Sequence, residues 1–130
     1  MNIGSYPKKE IACQQIETAL RLFFQKGDLF SVITLAGAAE EILGHLLQKG
    51  GKRRGLFASF RAVREMLRPA RQNLAEKASQ LGEGPEAFVH LDPRQEAVFL
   101  LGRAIDDYQA LSGTLSEAML RFNRELRGKS

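Results

Sequence analysis

The stretch ITLAGAAEEILGHLL, residues 33–47, sets Glu40, Glu41 and His45 inside an apolar helical run. Carboxylates and an imidazole at such spacings are the raw material of general acid–base catalysis, or of a metal site. Which of these they serve depends on the faces they occupy. At about 100° per residue, Leu29, Val32, Ile33, Leu35, Ala36, Ala39, Ile42, Leu43, Leu46 and Leu47 fill one continuous arc. Glu41 and His45 fall on the opposite side, four residues apart. A surface pair there contributes at most a few tenths of a kcal/mol. A carboxylate-rich metal centre in a helical bundle uses Glu-x-x-His on two helices, with further glutamates on two others. Here the spacing is Glu41-x-x-x-His45, and His90, the one other histidine, lies outside the helical patterns. Too few ligands remain for a metal, and no cofactor site or catalytic set is expected.

Glu40 differs from its neighbours. It lies within the apolar arc, beside Ile33, Leu47 and the small residues Gly37 and Gly44. Two glycines seven apart mark a seam where another helix comes close. A carboxylate buried in that seam needs a donor, because leaving it unpaired costs several kcal/mol. Arg103, Arg21 and Tyr108 are the candidates. A structural ion pair is expected here rather than a functional acid.

Nearly every segment around these residues repeats its apolar positions at helical spacing. Residues 8–26 place Ala12, Ile16, Ala19, Leu20, Phe23 and Phe24 on one stripe, opposite Glu17 and Arg21. In KGD, Gly27 is expected to stop this helix and Asp28 to cap the next, which runs over 29–48 to Gly50-Gly51. So short a link predicts an antiparallel hairpin. Helices over 56–68 and from Pro69 to Leu81 are separated by Arg68-Pro69, because the residue before proline avoids helical angles. EAFVHL reads as extended or irregular. Asp92, Pro93 and Gln95 in DPRQ start a fifth helix that carries Ala97, Leu100, Leu101, Ala104, Ile105, Tyr108 and Leu111 on one face. TLSE after Ser112-Gly113 reads as the capping box of a last helix, with Leu115, Met119, Phe122 and Leu126 facing inward. No strand pattern is strong enough to build a sheet. The expected fold is all-α: one domain over 1–130, an antiparallel helical bundle of four main helices plus one or two short helices.

Composition agrees with a single packed core. The 130 residues are 44% hydrophobic and 26% charged, too apolar for disorder. No apolar run approaches the roughly 20 residues of a membrane span. The opening MNIGSYPKKE has no hydrophobic signal core, and the single Cys13 cannot form an internal disulfide. A cytoplasmic location and no membrane partner are expected.

Charge is concentrated. Between Lys49 and Arg71 stand eight basic residues and one acid, Glu65, a net of +7 against +4 for the whole chain. Lys52, Arg53 and Arg54 sit in the glycine-rich loop GGKRRG, and Arg61, Arg64, Arg68 and Arg71 fall within about 80° on a continuing helix. Such a stripe suits phosphate contacts, which makes RNA or a nucleotide a candidate partner and an acidic protein surface another. Aromatic interleaving for base stacking is scarce, since Phe57 and Phe60 read as core.

The first hairpin, IETALRLFFQKGDLFSVITLAGAAEEILGHLL, resembles the opening hairpin of the HEPN superfamily. It shares an amphipathic helix, a Gly-Asp turn and an alanine-rich second helix with an inward acid. EAVFLLGRAIDDYQAL is similar to a late helix of the same bundle. The resemblance implies a small all-α protein of a defence or toxin–antitoxin-like system. Active HEPN ribonucleases carry an Arg, usually followed by a polar residue, then a His after four to six intervening positions. Neither histidine here has an Arg at that spacing before it. The best match is ARQNLAEKA, where Arg71 and Gln72 precede Glu76 at the histidine position. An exposed glutamate stays ionised near neutral pH and has no proton to donate. The resemblance therefore implies a degenerate, non-catalytic member.

Three functions compete. The first is a non-catalytic binding module that forms a homodimer; Leu22, Phe99 and Leu120, off their main stripes, could supply its surface. The second is a metal-independent HEPN-type ribonuclease using Arg71 with a non-standard partner. The third is a bundle holding a small ligand around Glu40.

Overall fold

The computed structural model describes residues 3–49 and 87–129. They form α1 (Lys8–Phe24), α2 (Leu29–Lys49), α3 (Pro93–Ser112) and α4 (Glu117–Arg127), with no strand among the described residues. The helices expected over 56–68 and 69–81 lie outside them. Residues 88–92 run without regular structure into α3.

Each boundary has a local cause. The Pro7 carbonyl opens α1 by accepting from the Glu10 and Ile11 amides at 3.1 and 3.2 Å. At the other end it is Lys26, not Gly27, that turns left-handed, with φ 57°. Its amide reaches the Phe23 carbonyl at 3.1 Å while the Gly27 amide reaches Leu22 at 2.8 Å, the paired bonds of a Schellman ending. Gly27 instead sits in a close contact with Leu22. A Cβ there would stand 3.2 Å from both Leu22 Cδ2 and the Leu22 carbonyl oxygen. This also corrects the expected place of Leu22, which is half-buried and packs against the core rather than standing at the surface.

Asp28 caps α2, accepting from the Phe30 amide at 3.2 Å and the Ser31 hydroxyl at 2.7 Å. The Ser31 hydroxyl first, and the Phe30 amide next, hold its carboxyl below the usual aspartate range. Its stabilisation is present above the unfolded pKa and is lost as pH falls through the lower folded one. Asp92 caps α3 in the same way, with Oδ1 accepting from the Arg94 and Gln95 amides at 3.1 and 3.3 Å. Gly113, at φ 77°, closes α3 with its amide on the Gln109 carbonyl. The last helix starts two residues later than the capping-box pattern suggests. Ser116, not Thr114, is its cap, and accepts from the Met119 amide at 3.2 Å. Thr114 is held in the preceding turn, its amide and carbonyl both bonded to the Ser112 hydroxyl.

The core lies where the four apolar faces meet. Ala12, Ile16, Ala19, Leu20 and Phe23 of α1 face Val32, Ala36, Ala39 and Leu43 of α2 and Ala97, Leu101, Ala104 and Ile105 of α3. The alanines set how near the axes come, since helix separation follows side-chain size. Met119 and Phe122 close the core from α4. Phe23 meets the edge of Phe122 at 5.8 Å and carries the Arg94 guanidinium 5.0 Å above its ring, so the end of α1 meets the start of α3. Arg121 of α4 lies 3.8 Å over Phe24.

α2 packs most extensively, against both α1 and α3. Its 21 residues are nonetheless long and apolar enough, by length and composition, to cross a membrane. The pattern of uninterrupted apolar runs hides this, because Glu40 and Glu41 divide the segment without making it polar on average.

Candidate functional site

The site centres on Glu40, fully buried on α2 between the buried Gly37 and Gly44. Arg103 of α3 brings Nη2 to 3.4 Å from Glu40 Oε1, with 11% of its side chain exposed. That is long for a charged hydrogen bond, so the attraction is chiefly Coulombic and gains from the dry surroundings. The guanidinium also lies over the Phe99 ring, 5.3 Å from its centroid. Arg103 thus meets both a carboxylate and an aromatic face. The pair ties α2 to α3.

Asp107 stands one helical turn beyond Arg103 on α3 and is also fully buried. It is absent from the candidates drawn from sequence. The helical projection that isolates Glu40 also isolates Asp107, which falls about 20° from Leu100 and about 40° from Leu111.

The other candidate donors go elsewhere. Arg21 is exposed on α1. Tyr108 of α3 meets Cys13 of α1; the hydrogen bond with that sulfur first, and burial second, push the phenol above its ordinary range. Glu41 is half-buried and His45 exposed. Among the described residues no three His, Cys, Asp or Glu side chains gather as metal ligands would. Lys52, Arg53, Arg54, Arg61, Arg64, Arg68 and Arg71, and the Arg71-Gln72-Glu76 motif, lie outside the described residues.

A second polar cluster joins α3 to α4. Arg127 grips Asp106 with two bonds, Nη1 to Oδ1 at 2.9 Å and Nη2 to Oδ2 at 2.7 Å, and Nη1 also donates to Asn123 Oδ1 at 2.9 Å. Gly102 makes room: a Cβ there would stand 3.2 Å from Arg127 Nε and 3.3 Å from Cζ. Nothing in the spacing of these four residues announces the cluster, because it depends on how α4 folds back.

No protein-family model, no curated protein and no solved structure matches the chain.

Proposed function

We propose that this chain is a non-catalytic helical binding module: an antiparallel bundle, resembling the HEPN proteins of defence or toxin–antitoxin-like systems, that pairs with a second copy of itself in the cytoplasm. Its basic segment takes RNA or nucleotide phosphates. Contacts between Phe23 and Arg94 at one end, and Cys13 and Tyr108 at the other, support opposite courses for α1 and α3.

The observation that carries the binding role is the set of phenylalanines left outside. Phe30, Phe88 and Phe99 each keep half or more of their surface exposed. Aromatic rings are enriched in the buried cores of protein interfaces. The central charges, by contrast, join helix to helix, which supports architecture over chemistry at Glu40 and Arg103.

Binding of labelled RNA, followed against salt, tests the basic segment. Affinity should fall steeply as salt rises, and Arg64→Glu with Arg68→Glu should weaken all sequences alike, since phosphate contacts carry no base information. Bound RNA should stay intact without metal. Affinity indifferent to salt and to these arginines would leave the segment as a solvated or protein-docking surface. Metal-free cleavage abolished by Arg71→Ala would make the protein a ribonuclease.

A further inference from the structure

The outer face of α1 carries a cleft of about 360 Å³ lined by Glu10, Ile11, Gln14, Gln15 and Thr18, together with Tyr6 from the segment before the helix and Leu35 of α2. We propose that this cleft seats one nucleobase, adenine before the others, with the Tyr6 ring stacked on it and the Gln15 amide reading its edge. The proposal rests on the RNA or nucleotide binding argued above, and it gives the base a place apart from the basic segment.

Pockets that hold small ligands begin at roughly 300 Å³, so one base has room. Ile11 and Leu35 offer it apolar contact, while the glutamines and Thr18 offer donors and acceptors. Gln15 Oε1 is buried and accepts no hydrogen bond, which is costly until a donor arrives. The amide nitrogen beside it donates, so the whole carboxamide matches a group that sets a donor next to an acceptor. Adenine presents that pair as its exocyclic amino group and N7. Uracil fits less well. Its ring N–H lies between two carbonyl oxygens, and pairing it with the amide would set one of them against Oε1.

Tyr6 supplies the aromatic face that the basic segment lacks. It is 72% exposed, which leaves ring surface open for stacking. Gly4 gives the ring space, since a Cβ there would stand 2.8 Å from the Tyr6 hydroxyl oxygen.

Charge separates a base from an ammonium ion, the other donor that would suit Gln15. Glu10 is the one charged residue lining the cleft. Yet α1 carries Lys8, Lys9 and Arg21 against Glu10 and Glu17, and its cations flank the cleft: Lys8 stands three positions before Ile11, and Arg21 three after Thr18. Both are exposed. They repel an ammonium ion and suit the phosphates on either side of a base.

The test is an NMR titration of the intact chain with adenosine, uridine and adenosine monophosphate. Saturation transfer should reach the base protons of adenosine, which should bind more tightly than uridine. Tyr6→Ala and Gln15→Leu should each weaken adenosine about fivefold or more. Tyr6→Phe keeps the ring and should stay near the parent, with circular dichroism to check each fold. Raising salt should weaken the monophosphate and leave adenosine nearly unchanged. Short RNA then tells the source of the base. A like loss of RNA affinity in Tyr6→Ala means a base of the strand, and a loss for the monophosphate alone means a free nucleotide. Adenosine that fails to bind, or binds Tyr6→Ala and Gln15→Leu as well as the parent, overturns the proposal. If RNA still binds through Arg64 and Arg68, the RNA reading stands without the cleft; if RNA does not bind either, both fall. Propylamine bound more tightly than adenosine would make the cleft an ammonium site instead.

Discussion

At the scale of single residues, Glu40 shows how a charge comes to sit inside a helical core. Its arc position places it inward beside the buried Gly37 and Gly44, and Arg103 of α3 supplies the countercharge. Removing the carboxylate's charge weakens the ion pair that joins α2 to α3. Glu40→Gln should therefore cost about 1–3 kcal/mol in urea unfolding, with an unchanged slope against denaturant. No change in the midpoint would mean the pair is energetically idle. Tyr108 offers a second test. In a Tyr6→Phe background, ultraviolet titration of the remaining phenol should give a midpoint above the usual value of about 10, and Cys13→Ala should lower it. Because the folded pKa is raised, Tyr108 supports the fold below its unfolded pKa, and that support is lost as pH rises through the folded one. Glu40's burial is legible in a one-dimensional pattern, since a projection needs only spacing. Asp107 is legible by the same projection, while the Arg127 clasp depends on a fold-back no spacing encodes.

Helix boundaries divide by the same rule. Asp28 and Asp92 cap where short polar residues precede an apolar run, because their carboxylates reach amides within the same turn. The end of α1 departs from the simplest expectation. Glycine usually occupies the left-handed position, yet here Lys26 takes it, and Gly27 follows where a Cβ would stand 3.2 Å from the Leu22 carbonyl oxygen, tighter than ordinary contact. A lysine in that conformation is strained by about 1–2 kcal/mol. Lys26→Gly should relieve part of this and raise stability by about 0.5–1 kcal/mol, less the extra entropy glycine brings to the unfolded chain. A loss of stability would mean that the Lys26 side chain contributes more than its backbone angle costs. At α4, Thr114 and Ser116 both offer caps in the sequence. The turn after Gly113 decides between them, by holding Thr114 to Ser112 and leaving Ser116 to meet Met119.

For the whole molecule, the all-helical class follows from periodicity and the absence of strand patterns, and the described helices share one core. Function is less legible. Composition marks a basic segment and a candidate surface, but a surface is defined by what packs beside it, which is why Leu22 turns inward while Phe30 and Phe88 stay out. Self-pairing is the property on which the binding role most depends, and light scattering reads it without a known ligand. Across a dilution series of the intact chain at moderate salt, the weight-average mass should correspond to two chains at micromolar concentration and fall towards one on dilution. A mass of one chain throughout the series, up to the highest soluble concentration, would contradict it.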